Sequence, residues 1–271
     1  MHYWYLDEII RVFFLGLIDT QTLFGFFKKL PHPLWVLDCV EKLQASLESV
    51  IEAGQHQTTL DIHRICPIVP IVRFLELFKR NLTGEAKLRA ERCWEELATD
   101  TIRTIIAGGE FIMESASRGE LMYAPMDNHA NKETRPVFTW ADASYQHHGN
   151  TQERWKIIPV HETSNCFLIQ NVKFGEYLYA TFRSRPGREQ SRVNLWRRQY
   201  NFDDDEKDMF YWQLVPLSRE NRQVFALYNC YENEFLYAPD AFCDSKRRFV
   251  RTAQEKMVSI PQREWRLIPQ L

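Results

Sequence analysis

The stretch FLIQNVKFGEYLYA, from Phe167 to Ala180, has two counterparts in the C-terminal part of the chain. FIMESASRGELMYA begins at Phe111, 56 residues earlier, and FALYNCYENEFLYA begins at Phe225, 58 residues later. An aromatic-x-aliphatic-x-Pro segment follows each copy: Trp155–Pro159, Trp212–Pro216 and Trp265–Pro269. A gapless match over a window of this length is hard to obtain by chance. The sequence therefore predicts one unit repeated three times.

Within each copy, apolar residues alternate with their neighbours, and this period of two predicts β-strands. The central copy predicts two strands joined by a tight turn at Lys173–Gly175. At the equivalent turn position every copy has Gly or Asn, which tolerate a positive φ. These residues are Gly119, Gly175 and Asn233.

Two further strands follow in each unit, the second of them at the Trp-x-aliphatic-x-Pro segment. The other contains Val137–Trp140, Val193–Trp196 and, in the third copy, Phe249–Thr252. Four strands in each of three units, twelve in all, are typical of a β-trefoil, since three blades could not close a propeller. The predicted core contains the opening phenylalanines together with Leu178, Leu236, Trp212 and Trp265.

Before the repeats the apolar residues recur at helical spacing and predict about five helices in residues 1–107. The first two carry apolar faces made of Leu6, Ile9, Ile10, Phe13 and Leu17, and of Leu23, Phe26, Phe27 and Leu30. A third covers Val40–Ile51, and a fourth begins at Pro67 and Pro70. The fifth and longest begins at Thr83, with Leu88, Trp94, Leu97, Ala98, Ile102 and Ile105 facing inward. The predicted fold class is therefore α+β in two domains: a helical bundle, residues 1–107, then an all-β β-trefoil with three internal repeats, residues 110–271.

Composition argues against several classes of protein. A net charge of −2 provides no basic surface of the kind that nucleic-acid binding needs, so no nucleic-acid partner is predicted. Two local charge clusters, Asp203–Glu206 and Arg247-Arg248 with Arg251, are interpreted as solvated loop charge. The six cysteines form no CxxC pair and are expected to be reduced. Acidic residues near the N-terminus do not fit a secretory signal, which predicts a cytoplasmic protein with secretion as the alternative.

The sequence lacks the best-known catalytic motifs: a phosphate-binding Gly loop, a GxSxG elbow and an HExxH helix. His147-His148 is the one adjacent histidine pair, and it has no nearby pattern of Cys, Asp or Glu. A non-catalytic protein without a metal site or a cofactor is therefore predicted.

Residues 110–271 resemble the ricin-B-like β-trefoil lectins. The resemblance rests on Trp155-Lys-Ile-Ile-Pro159, Ile169-Gln-Asn171 and Gly175-Glu-Tyr177-Leu178. It implies a β-trefoil in which an acid of the second strand and a polar-x-Trp pair of the third strand hold a sugar. The third-strand counterparts here are Asn194-Leu-Trp196 and Phe138-Thr-Trp140. The position of the acid is occupied by Tyr123, Tyr179 and Tyr237.

Strand alternation points to the same residues. If Val193 and Leu195 face the core, Asn194 and Trp196 face the other way, where an aromatic ring can serve as a stacking platform. Covering the base of a hairpin is the competing role for that ring. A neighbouring arginine would favour an anionic ligand. The candidate ligand-binding residues are Trp196, Asn194, Trp140 and Arg197.

These observations favour a non-catalytic binding protein whose β-trefoil recognises a carbohydrate or a protein surface. One alternative is a membrane-active, pore-forming-like protein, in which the trefoil targets a membrane and the aromatic helices insert. The other is a cytoskeletal or scaffold protein of the fascin kind, because that class shares the fold.

Overall fold

The computed structural model describes residues 3–14, 17–18, 20–27, 29, 41–42, 45, 68–126, 134–141, 151–160, 166–180, 190–196, 208–217 and 223–270. The chain divides into two compact units. One comprises Met1–Ala107 with Pro159–Asn165 and Ser218–Arg222, and the other comprises Gly108–Ile158, Cys166–Leu217 and Gln223–Leu271.

The first unit is helical in its described part. Its helices are α1 Tyr3–Phe14, α2 Thr20–Phe27, α3 Ile68–Asn81, α4 Gly84–Leu97 and α5 Asp100–Ile106. Phe13, Leu23, Leu97 and Ile102 are buried, as their helical spacing predicted, and Phe74 of α3 is buried too. Of the predicted third helix, residues 41, 42 and 45 are described, and they are helical. None of the described helices is both long enough and apolar enough to cross a membrane.

The prediction of one long helix after Thr83 is wrong, because two helices occupy this stretch. Thr99 has the extended backbone of a helix cap, and its hydroxyl accepts a hydrogen bond from the Ile102 amide at 3.4 Å, so a new helix begins there. The predicted inward position of Leu88 is also wrong, since its side chain is exposed. Leu17 and Phe26, which were assigned to apolar helix faces, are exposed as well.

The second unit is built from β-strands. They are β1 Glu110–Ser115, β2 Glu120–Tyr123, β3 Thr134–Pro136, β4 Phe138–Trp140, β5 Arg154–Pro159, β6 Phe167–Asn171, β7 Tyr177–Ala180, β8 Gln190–Trp196, β9 Trp212–Pro216, β10 Val224–Asn229, β11 Glu234–Tyr237, β12 Arg247–Phe249, β13 Arg251–Ala253 and β14 Trp265–Gln270. A short helix, α6 Ile260–Arg263, precedes the last strand. The described residues thus contain fourteen strands where twelve were predicted. One additional strand, β3, precedes the predicted Val137–Trp140 strand, and Val250 divides the predicted Phe249–Thr252 strand between β12 and β13.

Six of these strands close a ring in the order β1, β5, β6, β9, β10, β14 and back to β1. The opening phenylalanine of each copy lies opposite a closing tryptophan: Phe111 opposite Trp155, Phe167 opposite Trp212 and Phe225 opposite Trp265. The three phenylalanines and three tryptophans are buried, as are Leu178 and Leu236, so the predicted core is confirmed. Each indole N–H donates to a buried carbonyl at 3.0 Å, that of Met122, Leu178 or Leu236.

The remaining strands cover one end of this barrel in a cyclic pattern. β3 pairs with the second half of β8, the first half of β8 pairs with β13, and β12 pairs with β4. Val137, Val193 and Val250 lie at the three midpoints and are buried, and the Val250 amide donates to the Val137 carbonyl at 3.0 Å. A closed six-stranded barrel with such a cap makes this region β-trefoil-like.

The first turn of each copy has the expected backbone. Gly119, Gly175 and Asn233 all have a positive φ, between 55° and 66°, which confirms the prediction. Before two of these turns, Asn171 and Asn229 are fully buried, and each amide nitrogen donates to a carbonyl at the end of the preceding copy. Ser115 takes this place in the first copy. Its buried hydroxyl has no hydrogen-bond partner among the described residues.

The interpretation of Arg247-Arg248 with Arg251 as loop charge is wrong, because these residues lie on β12 and β13. Arg248 is buried, and its Nε donates to Glu120 Oε1 at 2.9 Å, while Glu120 Oε2 accepts a hydrogen bond from Thr139 at 2.7 Å. The acidic cluster Asp203–Glu206 lies outside the described residues.

Candidate functional site

Two tyrosine–tryptophan pairs occupy equivalent places at the barrel cap. The ring centroids of Tyr123 and Trp140 are 5.4 Å apart with an edge-on geometry, and those of Tyr179 and Trp196 are 5.6 Å apart with tilted planes. Both tyrosines are buried and both tryptophans are half-buried. Each tyrosine therefore supports one side of an indole ring that is still partly open to solvent.

Strand register explains these contacts. On β2 and β4, Tyr123 lies opposite Phe138, so Trp140, two residues along, is its diagonal neighbour on the same face. On β7 and β8, Tyr179 lies opposite Asn194 and is diagonal to Trp196. Diagonal partners on one face of a sheet are within reach of large aromatic side chains.

The third copy lacks this pair, because Ala253 stands opposite Phe235 where the other two copies have a tryptophan. Tyr237 and Ala253 form a buried cluster with Val258, which follows a 3₁₀ turn at Glu255–Met257. An aliphatic side chain of the chain itself thus fills the space beside the third tyrosine. The described structure offers the aromatic arrangement at two of the three equivalent places.

Trp196 has a second aromatic neighbour. The Phe210 ring lies 6.4 Å from Trp196 and 5.4 Å from Tyr179, centroid to centroid. Asn194 shares the face of Trp196, as alternation predicted, but it is 8% exposed and so less accessible than the sequence suggested. The structure brings Asn194 and Trp196 together on β8. Arg197, the fourth predicted residue, lies outside the described residues.

Trp140 belongs to a separate cluster because β4 pairs with β2 and β12 rather than with β8. Arg247 lies directly opposite Trp140, with its guanidinium 4.8 Å from the centre of the Phe138 ring. The Asp244 carboxylate accepts a hydrogen bond from Arg247 Nε at 2.5 Å and another from the Lys246 amide at 2.9 Å. These donors stabilise the carboxylate, the backbone amide most of all, and lower the pKa of Asp244.

The tyrosine that packs against Trp140 has a shifted pKa as well. Burial raises the pKa of Tyr123 to about 12.

Sequence reasoning did not single out Arg192 or Arg251 as site residues. Arg192 and Arg251 lie directly opposite each other where β8 pairs with β13. Arg192 is exposed, and its guanidinium lies 5.2 Å from the centre of the Phe249 ring. The signal for Arg192 was present, since it precedes Asn194 and Trp196 at alternate positions of one predicted strand.

The described part of the chain contains cysteine and acidic side chains that could in principle bind a metal ion. Within it, no group of three or more His, Cys, Asp and Glu side chains is placed to hold a metal ion. Its four cysteines are free thiols, and the Sγ atoms of Cys166 and Cys230 are 3.5 Å apart. His147 and His148 lie outside the described residues.

The sequence matches no protein-family model and no curated protein. Solved structures similar to the chain include ricin B-like lectins and other β-trefoil proteins. The Macrolepiota procera ricin B-like lectin in complex with lactose is 10% identical, with 60% of this chain and 96% of that chain covered and a TM-score of 0.41. The designed threefold-symmetric ThreeFoil is 15% identical, with 60% and 99% covered and a TM-score of 0.44. The BEL β-trefoil is 13% identical, with 60% and 94% covered and a TM-score of 0.43.

Proposed function

We propose that this chain is a non-catalytic binding protein whose β-trefoil region, residues 110–271, recognises a carbohydrate. A sugar ring stacks on Trp196 and, at the second equivalent place, on Trp140. In this proposal the trefoil consists of three internal repeats and follows a helical domain, residues 1–107. The observation that carries the proposal is the pair of half-buried tryptophans, each supported by a buried tyrosine.

A sugar ring and an indole ring have complementary surfaces. A pyranose presents an apolar face of C–H groups, which an indole ring covers well, and a polar rim of hydroxyls. A ring already held on one side loses little conformational freedom when a ligand stacks on its other side. Trp196 is held in this way by Tyr179 and Phe210, and Trp140 is held by Tyr123.

Polar groups beside a stacking ring fix the orientation of a sugar. The Asn194 amide provides both a donor and acceptors on the face of Trp196. At the other place, Arg247 lies directly opposite Trp140 and is hydrogen-bonded to Asp244, and both charged groups can exchange hydrogen bonds with hydroxyls. Tyrosine at the position of the lectin acid places a hydrophobic support there, so the polar contacts have to come from these other residues.

A glycan array with the full chain tests the proposal. We expect binding by the wild type, a loss of about tenfold or more in affinity for Trp196→Ala or Trp140→Ala, and a further loss in the double variant. The matched control is Trp94→Ala, which removes a half-buried tryptophan from the helical unit and should leave glycan binding unchanged. Circular dichroism melting verifies that each variant is folded.

A wild-type protein that binds no glycan would overturn the proposal. Recognition of a protein surface through the loops would then be the better reading. Affinities that survive the loss of both tryptophans would place the glycan elsewhere on the molecule.

A further inference from the structure

We propose that Cys166 and Cys230 form an oxidative modification site, at which a hydroperoxide converts the two thiols into one disulfide that clamps the strands on either side of β9. The inference goes beyond the proposed carbohydrate function and does not depend on it. Neither cysteine belongs to the buried aromatic core or to the candidate ligand-binding residues.

The two sulfur atoms are already in contact. Sγ of Cys166 and Sγ of Cys230 are 3.5 Å apart, although the residues are 64 positions apart in sequence. A disulfide holds its sulfurs at about 2.05 Å, so closing the pair requires an approach of about 1.5 Å. The reaction therefore needs a small movement and an oxidant.

Strand register shows what a bond between these thiols would join. Cys166 immediately precedes β6, and Cys230 immediately follows β10. Phe167 and Asn229 both lie opposite Trp212, one on each side of β9. Both cysteines thus stand at strand ends, where the chain can adjust without breaking the hydrogen-bond ladders of β9. A disulfide would tie β6 to β10 across the beginning of β9.

The surroundings of the pair allow a small oxidant to reach it and set the order of attack. Both side chains are half-buried rather than sealed in the core. The hydrogen bond between the two thiols raises the pKa of Cys230, and burial raises it further. Cys230 therefore keeps its proton, and the Cys166 sulfur is the one that loses its proton and attacks first.

A single hydroperoxide molecule balances the reaction. The Cys166 thiolate attacks one peroxide oxygen, the O–O bond breaks, and the departing oxygen takes up a proton, which leaves a sulfenic acid on Cys166. The Cys230 thiol then gives up its proton as its sulfur attacks Cys166 Sγ, the S–O bond breaks, and water leaves. The two sulfurs together lose two electrons, which the peroxide gains.

The clamp would act on the turn that carries Phe210. The Cys230 amide donates to the Tyr211 carbonyl at 3.0 Å, and the Tyr211 amide donates to the Asp208 carbonyl at 3.0 Å. Asp208–Phe210 is a 3₁₀ turn that ends just before β9. A covalent link at Cys230 therefore restricts the opening of this turn. Closing a loop of 64 residues also lowers the entropy of the unfolded chain.

Mass spectrometry of the full chain tests the proposal. Treatment with a small molar excess of hydrogen peroxide should lower the mass by about 2 Da, and digestion without reductant should yield two peptides joined through Cys166 and Cys230. Dithiothreitol should restore the original mass. Cys166→Ser and Cys230→Ser should each abolish the joined peptides. The matched control Cys243→Ser, at another half-buried cysteine of the same unit, should still form them.

Two physical measurements test the clamp itself. The peroxide-treated wild type should melt roughly 5–10 °C higher than the reduced protein. Amide hydrogen exchange should slow in peptides that cover Asp208–Tyr211 and Cys230, because the disulfide holds the turn closed. Neither change should occur in Cys166→Ser after the same treatment, and circular dichroism verifies that this variant is folded.

Three results would overturn the inference. A wild type that keeps its mass in excess peroxide, or gains about 16 Da or more at either thiol without forming the bond, would show that the two sulfurs do not close. A link from either residue to another cysteine or to a second chain would show a different pairing. A bond between Cys166 and Cys230 with no rise in Tm and no slower exchange would show that it clamps nothing.

Discussion

Replacing Ser115 by asparagine should stabilise the protein, because asparagines at the two equivalent positions make hydrogen bonds that Ser115 does not make among the described residues. At the equivalent places Asn171 and Asn229 are fully buried, and each makes four hydrogen bonds. The Asn171 amide nitrogen donates to the Gln152 and Arg154 carbonyls at 2.8 and 3.4 Å. Its amide oxygen accepts from two amides of the following turn, at 3.1 and 3.3 Å.

The partners for an asparagine at residue 115 are already in place. The Ala116 amide donates to the Glu264 carbonyl at 2.9 Å, as the Val172 amide does to the Arg154 carbonyl. Ser115 therefore lies next to the residues that precede Trp265, as Asn171 lies next to those that precede Trp155. Its own hydroxyl is buried and has no hydrogen-bond partner among the described residues.

The magnitude follows from those contacts. A net gain of about 0.5–1.5 kcal/mol for each well-formed hydrogen bond, less the cost of fixing the side chain, gives about 1–2 kcal/mol of added unfolding free energy. For a chain of this size that corresponds to a rise in Tm of roughly 2–8 °C. Calorimetry and urea denaturation measure the two quantities independently.

Two further variants make the result decisive. Asn171→Ser should lower the unfolding free energy by about 2–3 kcal/mol, since it strips a buried turn of the same bonds. Ser117→Asn makes the same chemical change at an exposed position of the first turn and should stay within about 0.5 kcal/mol of the wild type. If Ser115→Asn is neutral or destabilising while Asn171→Ser behaves as expected, the first turn is not built like the other two.

Two other predictions concern groups buried near the cap. Arg248→Met should lower the unfolding free energy by about 3–5 kcal/mol, because it leaves the Glu120 carboxylate buried without its cation. Adding Glu120→Gln should restore part of that loss in urea denaturation, and no restoration would contradict the assigned role of the charge. Because burial raises the pKa of Tyr123 to about 12, its contribution to stability is complete below pH 10 and is lost as pH rises from about 10 to 12. Tyr123→Phe should therefore lose less stability over that interval, and an unchanged pH profile would be evidence against this assignment.

The recurring sequence pattern made a large part of the β-trefoil-like region predictable. Each copy provided an independent reading of the same positions, so the positive-φ turn at Gly175 could be inferred from Gly119 and Asn233. The ends of helices were harder to predict. The apolar residues around Thr99 continue at helical spacing, but the Thr99 hydroxyl caps a new helix there and so divides the predicted helix in two. Leu88 fits a helical face by spacing but is exposed, since spacing alone does not state which face the rest of the chain covers.

The placement of Asn194 and Trp196 on one face of β8 was predictable, because it follows from local alternation along a strand. The position of Arg251 opposite Arg192 was not predictable, because it depends on a pairing between strands about sixty residues apart in sequence. The contact between the rings of Trp196 and Phe210 was not predictable either, because it also joins residues of different structural elements. The structure was also needed to show that Ala253 and Val258 pack against Tyr237, in the space that a tryptophan occupies beside Tyr123 and Tyr179.

The sequence by itself determined the turn residues and the aromatic core, since both depend on short-range spacing and on side-chain chemistry. Tertiary structure alone decided how the distant strands of the β-trefoil-like region pair, including which half of β8 meets which neighbour. It also decided that the Ser115 hydroxyl is buried with no hydrogen-bond partner among the described residues. The physical reason is that strand register between distant segments is set by the packing of the whole barrel, and local periodicity carries no record of it.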